Sequence, residues 1–267
     1  MRPRLDKSEG RRLFGLDPET YDAARPGHAG EVYEILRERC GVRSGATVLE
    51  VGPGTGQATR RLLELGADPL VAIEPDAALA AYVRRALDDR VEVRETALED
   101  AELEPDAFDL AAAASSFHWV AEDVGLAMLS AALRPGGWIA LWWTSVGDEW
   151  QPDAFMQALD PLFEDLPHGP WASLDTRRNF ARDDELRLAA LSAAGFEKRR
   201  HEVMRWAREW DTAGIRGLYS TFSPVRALEP NRREEFLDSV ARIAEHEFGG
   251  LIERPLVTSL YTARRPC

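Results

Sequence analysis

Val48-Leu49-Glu50-Val51-Gly52-Pro53-Gly54-Thr55-Gly56-Gln57 is the stretch whose reading decides the fold. An apolar run ends in an acid, and a glycine loop then opens a helix. Glycine lets backbone approach a ligand closely and take a positive φ without a Cβ clash. The helix that follows points unpaired N–H groups at whatever lies before it. This is a cradle for a nucleotide-like cofactor. Two familiar cradles are excluded by spacing. A dinucleotide loop needs a glycine at the sixth position, where this chain has Gln57 counting from Gly52 and Thr59 counting from Gly54. A phosphate-binding P-loop needs Gly-Lys-Ser/Thr, which does not follow.

On either side of this stretch, strand and helix patterns alternate. Thr47–Val51 reads as a buried strand and Gln57–Leu65 as a helix closed by Gly66. Leu70–Glu74, Val91–Arg94, Phe108–Ala114 and Trp138–Trp143 read as further strands. Asp76–Leu87 and the alanine-rich region around Val120–Leu133 read as helices. Arg134-Pro135-Gly136-Gly137 reads as a turn by composition. Upstream, Val32, Ile35 and Leu36 recur at helical spacing before Gly41. This rhythm predicts a doubly wound α/β sheet with parallel strands. Ligands in such sheets sit beyond the carboxyl ends of the strands, where Glu50–Gly56, Glu74 and Ser115–Trp119 all fall.

After Thr144 the alternation lapses. Residues 145–185 carry Pro152, Pro161, Pro167 and Pro170 among Trp150, Phe155, Phe163 and Trp171, which reads as an aromatic cap rather than a linker. Leu186–Ala194 reads as a helix and is followed by a strand ending near Trp206. Helices are expected at Thr212–Tyr219 and Asn231–Glu247, and a last strand at Leu256–Ala263. The expected organisation is a lid and helix at 1–40, a cofactor-binding core at 41–144, the cap at 145–185 and a completion of the sheet at 186–267. A helical insertion falls at about 207–254 within the last segment.

Composition bounds the function. The formal net charge is -13, which disfavours a nucleic-acid partner because phosphate contacts dominate that affinity. Lys198-Arg199-Arg200 reads as a solvated strand end. Only Cys40 and Cys267 are present, so neither a disulfide framework nor zinc spacing can be read. His28, His118, His168, His201 and His246 show no paired ligand spacing, and no metal is expected. No signal-like apolar region opens the chain, and no run approaches the ~18–20 apolar residues of a membrane span. A soluble, cytoplasmic monomer or homodimer without membrane contact is expected.

Glu74 stands 20 positions beyond Gly54 at a strand end, where a carboxylate can accept both hydroxyls of a ribose. An ordinary helix-opening acid before Pro75, with Asp76 as cap, is the plain alternative.

With Glu74 in place, E-x-G-x-G-x-G resembles the first motif of class I S-adenosylmethionine methyltransferases. Ala97-Leu98-Glu99-Asp100, Phe108-Asp109-Leu110 and Leu133-Arg134-Pro135-Gly136-Gly137 add to the likeness. Tyr21-Asp22-Ala23-Ala24-Arg25-Pro26-Gly27-His28 is similar to the Y-x-x-x-R-P-G-Y segment of the type 11 methyltransferases, with His28 in the usual place of tyrosine. Trans-aconitate methyltransferase and related small-molecule enzymes lie near that branch. Ser115-Ser116-Phe117-His118-Trp119 resembles the family's A-x-x-F-H-W segment.

The resemblance implies a Rossmann-like, seven-stranded, mostly parallel sheet with a helical cap, and S-adenosylmethionine as cofactor. It implies cofactor contacts from Tyr21, Arg25, Glu50, Gly52, Gly54, Gly56, Gln57, Glu74, Pro75, Leu98, Glu99 and Ser115. It places His118 and Trp119 near the methyl group, with Trp143 as a further aromatic at the substrate. His118 is the candidate general base, although it can equally pack on the cofactor or cap the next helix. The implied reaction is in-line methyl transfer to a small-molecule acceptor. Two other classes stay open: a non-catalytic S-adenosylmethionine-binding regulatory protein, and an NAD-dependent oxidoreductase, which Gln57 disfavours. Arg216 and Arg226 are candidates to receive an acidic substrate, and solvated helix faces explain them as well.

Overall fold

The computed structural model describes residues 14–148, 153–164, 166 and 180–267. In chain order the elements are α1 (Pro18–Ala24), α2 (Gly30–Glu38), β1 (Ala46–Val51), α3 (Gln57–Glu64), β2 (Ala67–Ile73) and α4 (Ala77–Leu87). Next come β3 (Glu92–Arg94), β4 (Phe108–Ala114), α5 (Glu122–Ala132), β5 (Leu133–Val146) and α6 (Ala154–Phe163). The chain finishes with α7 (Asp184–Ala193), β6 (Glu197–Asp211), α8 (Thr212–Ser220), α9 (Ser223–Arg226), α10 (Pro230–Phe248) and β7 (Leu251–Arg264). They fall into two compact units. The sheet unit holds the described parts of Gly27–Thr144, Ser173–Met204 and Thr258–Cys267. The helical unit holds those of Met1–Pro26, Ser145–Ala172 and Arg205–Val257.

The seven-stranded sheet runs in the order β3-β2-β1-β4-β5-β7-β6. β1 pairs in parallel with β2 and β4, β2 with β3, and β4 with β5. β1 is buried on both faces over Val48–Val51, as expected of a central parallel strand covered by helices. Asp76 starts α4 by accepting from Ala78 N at 2.9 Å and Leu79 N at 3.0 Å, a side-chain N-cap. The unit's core joins Leu49, Val51, Ile73, Ala111, Phe117, Leu129, Ile139 and Trp143 to Phe196 and Tyr261. Chain order reverses between β1 and β4. Such a switch point opens a crevice at the carboxyl ends of the strands.

The helical unit has a core of its own, built on Phe155, Leu159, Ile215, Leu218, Tyr219, Val225, Phe236, Val240 and Leu256. Phe163 packs edge-on against Phe236 at 5.4 Å, and Phe155 against Phe248 at 5.1 Å. Of the aromatics expected to line a cap, Phe155 is therefore core and Phe163 is half-buried against it. Trp150, Pro152, Pro167, Pro170, Trp171 and His168 lie outside the described residues.

Three local expectations are corrected. Arg134–Gly137 belongs to β5, because Gly136 N donates to Arg265 O at 3.1 Å and Arg265 N to Gly137 O at 2.8 Å. Pairing with the far end of the chain overrides the turn composition, and a register shift between Phe108 and Leu110 takes up the extra residues. The strand expected to end near Trp206 runs on to Asp211, and the last strand begins at Leu251 rather than Leu256. Pro255 inside β7 hid that beginning, since proline argues locally against a strand.

Candidate functional site at the switch point

The glycine loop leaves β1 under tight backbone control. Gly52 N donates to Ile73 O at 2.8 Å, and Gly56 N to Pro53 O at 2.8 Å. Gly52, Gly54 and Gly56 have φ of 68°, 60° and 82°. Their surroundings differ. A Cβ on Gly52 would meet Ser116 Cβ at 2.5 Å, and one on Gly56 would meet Leu87 at 3.2 Å. Among the described residues a Cβ on Gly54 would meet nothing within 4 Å. Gly52 and Gly56 thus serve packing, and Gly54 faces open space. Gly56 is the left-handed N-cap of α3 and offers no side chain to the helix start, which Gln57 opens.

Two carboxylates flank this loop. Glu74 is 5% exposed. Its Oε2 accepts from Gly54 N at 3.2 Å and its Oε1 from Asp76 N at 3.0 Å. The carboxylate is therefore aimed at the loop, with Pro75 as the link to the α4 cap. Glu50 is fully buried between Ala72 and Ala112 of the neighbouring strands. Neither of its oxygens has a hydrogen-bond partner of good geometry among the described residues. Burial pushes its carboxyl up to about 7. The Thr59 hydroxyl opposes the shift and the nearby Glu74 charge adds to it. An orphaned buried carboxylate is costly and rare in a finished core.

The β4 end forms the facing wall. Ser115 has φ 52°, a left-handed conformation that is strained for serine, and its N–H donates to Trp142 O at 2.7 Å. Ser116 hydroxyl donates to Val51 O and ties the two strand ends together. A single 3-10 turn, Phe117–Trp119, follows. Phe117 is core, and His118 and Trp119 are half-buried. Trp143 Nε1 donates to His118 Nδ1 at 2.9 Å. Trp119 lies 4.9 Å from the His118 ring and Phe180 6.2 Å, between ring centroids. The expected general base therefore already uses one ring nitrogen as an acceptor.

Other predicted residues take more specific places. Leu98 is core. Glu99 Oε1 accepts from Ala121 N at 2.9 Å and so anchors the start of α5, while Oε2 has no hydrogen-bond partner among the described residues. In the helical unit, Arg25 Nε donates to Thr221 Oγ1 at 2.8 Å, and its guanidinium lies 5.3 Å from the Tyr21 ring and 4.9 Å from that of Phe222. Arg216 pairs with Glu234 at 2.6 Å and Asp238 at 3.1 Å, which corrects its candidacy for an acidic substrate. Arg226 is buried, and its Nε donates to Ser220 O at 3.1 Å.

Sequence reasoning missed Ser116 and Phe180. Ser116 carried a signal, because its place beside Gly52 follows from β1 and β4 being neighbours across a switch point. Phe180 carried none: it comes from a distant segment and joins the His118 rings through tertiary packing alone.

Comparison with known proteins agrees with this geometry. Residues 49–141 match the type 11 methyltransferase family model, described as a methyltransferase domain. An uncharacterized methyltransferase of Schizosaccharomyces pombe is 24% identical over 224 residues, 84% of each chain. A structure from Anaeromyxobacter dehalogenans, described as a type II methyltransferase, has a TM-score of 0.60 at 21% identity and covers 91% of this chain and 98% of its own. Phosphoethanolamine N-methyltransferase 2 of Haemonchus contortus, solved with S-adenosylhomocysteine, has a TM-score of 0.56 at 16% identity and covers 96% of this chain and 60% of its own. These findings support a class I S-adenosylmethionine-dependent methyltransferase. Among the described residues no helix is long and apolar enough to cross a membrane.

Proposed function

We propose that this chain transfers a methyl group from S-adenosylmethionine to a small-molecule acceptor. The cofactor is S-adenosylmethionine; the acceptor class is the step beyond it. The observation that carries the reading is the pair Glu50 and Glu74 around an open Gly54 at the β1/β4 switch point.

The residues present suit the cofactor's chemistry. Glu74 is placed to accept from ribose hydroxyls, exchanging its 3.2 Å bond to Gly54 N for charge-assisted ones. Glu50 is a buried carboxyl that a cationic partner would ionise, and the cofactor's methionine end brings an ammonium. The loop backbone from Gly52 to Gln57 completes the grip. Leu98, through its backbone, and Glu99 are proposed at the adenine. The bound sulfonium supplies the electrophilic methyl. The chain's own contribution is to hold an acceptor in line, which can be worth ~7–11 kcal/mol. Aromatic faces such as Trp119 and Trp143 favour a nearby cation.

Location in the cytoplasm and the absence of nucleic-acid partners belong to the same proposal, supported by the net charge of -13. Calorimetry with S-adenosylmethionine, S-adenosylhomocysteine and NADH tests the reading. Binding of the first two without the third is expected. Binding of NADH alone sinks it. Cofactor binding with no transfer to any acceptor turns it into a binding protein.

A further inference from the structure

We infer that the methyl acceptor presents an electron-rich aromatic ring, received against Phe180, and that Arg187 is the positioning residue that makes Phe180 selective for such a ring. This rests on the methyltransferase reading above. Both residues belong to the sheet unit, and Phe180 joins the rings around His118 at the β4 end.

Phe180 is held in place from several sides. Trp143 meets it edge-on at 5.6 Å, and the His118 ring lies 6.2 Å away. Its 3-10 turn, Phe180–Arg182, is pinned by Tyr261, whose hydroxyl donates to Ala181 O at 2.9 Å. Tyr261 is itself buried and stacks on His201 at 4.3 Å. The Arg187 guanidinium lies over one face of Phe180, 3.7 Å from the ring centroid. Phe180 nonetheless stays half-buried, so part of the ring is left for a ligand.

Arg187 is placed for that ring rather than for hydrogen bonds. It is buried on α7, and its Nη1 donates to Glu122 at 2.5 Å. Among the described residues its Nε has no hydrogen-bond partner, which a guanidinium buried for architecture alone would find. A cation on one face of a benzene ring draws the π density toward itself. The rest of the ring loses the negative potential that would attract a second cation, and becomes complementary to a π system rich in electrons. An ammonium acceptor would meet this depleted ring. Arg187 does not receive an acid directly, because Glu122 takes its Nη1 and Phe180 its face. A flat, electron-rich ring, stacked with an offset or meeting Phe180 by its edge, is the partner that this wall serves best.

The test measures binding of small probes to the protein loaded with S-adenosylhomocysteine, by calorimetry or ligand-observed NMR, at about pH 6, where phenols are neutral. Phenol is compared with cyclohexanol, which has the same hydroxyl and a similar size without the flat ring. 4-Methoxyphenol, phenol and 4-cyanophenol then grade the π density. Wild type should bind phenol about threefold to tenfold tighter than cyclohexanol, the worth of an aromatic pair beyond its area. It should rank the phenols in the order methoxy, unsubstituted, cyano. F180L leaves the Arg187–Glu122 pair in place and should lose the preference for the flat ring. R187M keeps the ring and removes the charge, so phenol should stay preferred while the order of the three phenols flattens or reverses. Where R187M fails to fold, the wild-type order and F180L still decide. Cyclohexanol bound as tightly as phenol, no measurable binding of any phenol, the opposite order in wild type, or a preference retained in F180L overturns the inference. So does an R187M that keeps the wild-type order. Each of these leaves the methyltransferase reading standing, whereas failure to bind S-adenosylhomocysteine removes both.

Discussion

Among the described residues each unit buries one charged side chain completely, and the two are handled in opposite ways. In the helical unit, Arg254 is 0% exposed. Its Nε donates to Asp153 Oδ2 at 2.7 Å, Nη1 to Tyr219 hydroxyl at 2.5 Å and Nη2 to Met156 Sδ at 3.1 Å. The Phe155 ring lies 5.4 Å from the guanidinium carbon. In the sheet unit, Glu50 is equally buried with no such partner. A buried charge with each of its three nitrogens hydrogen-bonded is architecture, and removing it leaves its partners stranded. A buried charge with none is a cost the fold carries for a ligand's sake.

Arg254→Ala should therefore be the most damaging change considered, at about 3–5 kcal/mol of stability, because Asp153 and Tyr219 lose their common partner. A urea-unfolding series reads this directly, and a loss under about 1 kcal/mol would break the contrast. Glu50→Gln should act in the other direction. Folding raises this carboxyl from 4.5 to about 7, so the native state holds the extra proton between those values. The contribution of Glu50 to stability is then most favourable below pH 4.5 and is lost as pH rises through 7, since the unfolded state binds fewer protons. The shift corresponds to roughly 3 kcal/mol. Glutamine should recover much of this above pH 7, flatten the slope and weaken S-adenosylmethionine binding. A stability difference between Glu50→Gln and wild type that does not grow in favour of the variant across this window would remove the assignment.

How far the sequence reveals these roles depends on the range of the interaction that creates them. The β1 loop, the Glu74 strand end and the alternation of Phe108–Ala114 with its following helix are local patterns, and hydrophobic period and glycine spacing report them. The strand at Arg134–Gly137 is not local. Its partners are Arg265 and Pro266, more than a hundred residues on, and composition there speaks only for a turn. The same holds for His118. The Phe-His-Trp segment marks the position, but the donor to His118 Nδ1 is Trp143, a strand away. Phe155 and Phe163 were legible as aromatic and not as packed into a core. Their cover comes from Tyr219, Phe236 and Phe248.

The sheet unit offers a finer test of the same contrast within three residues. Glu74→Ala removes a carboxylate facing the glycine loop, and S-adenosylmethionine affinity should fall about 10–100-fold, the worth of hydrogen bonds to a charged group. An unchanged affinity by calorimetry would end the ribose assignment. Asp76→Ala should cost only ~1 kcal/mol of stability, the usual loss for an N-cap. Its carboxylate is spent on Ala78 N and Leu79 N, inside its own helix. Its backbone N–H, which holds Glu74 Oε1 at 3.0 Å, survives the substitution. Cofactor affinity should thus stay within about twofold, a change of under ~0.5 kcal/mol. A larger loss would mean that Asp76 steers the cradle through its side chain, and the division between structural and ligand-directed acids would then fail at its closest pair.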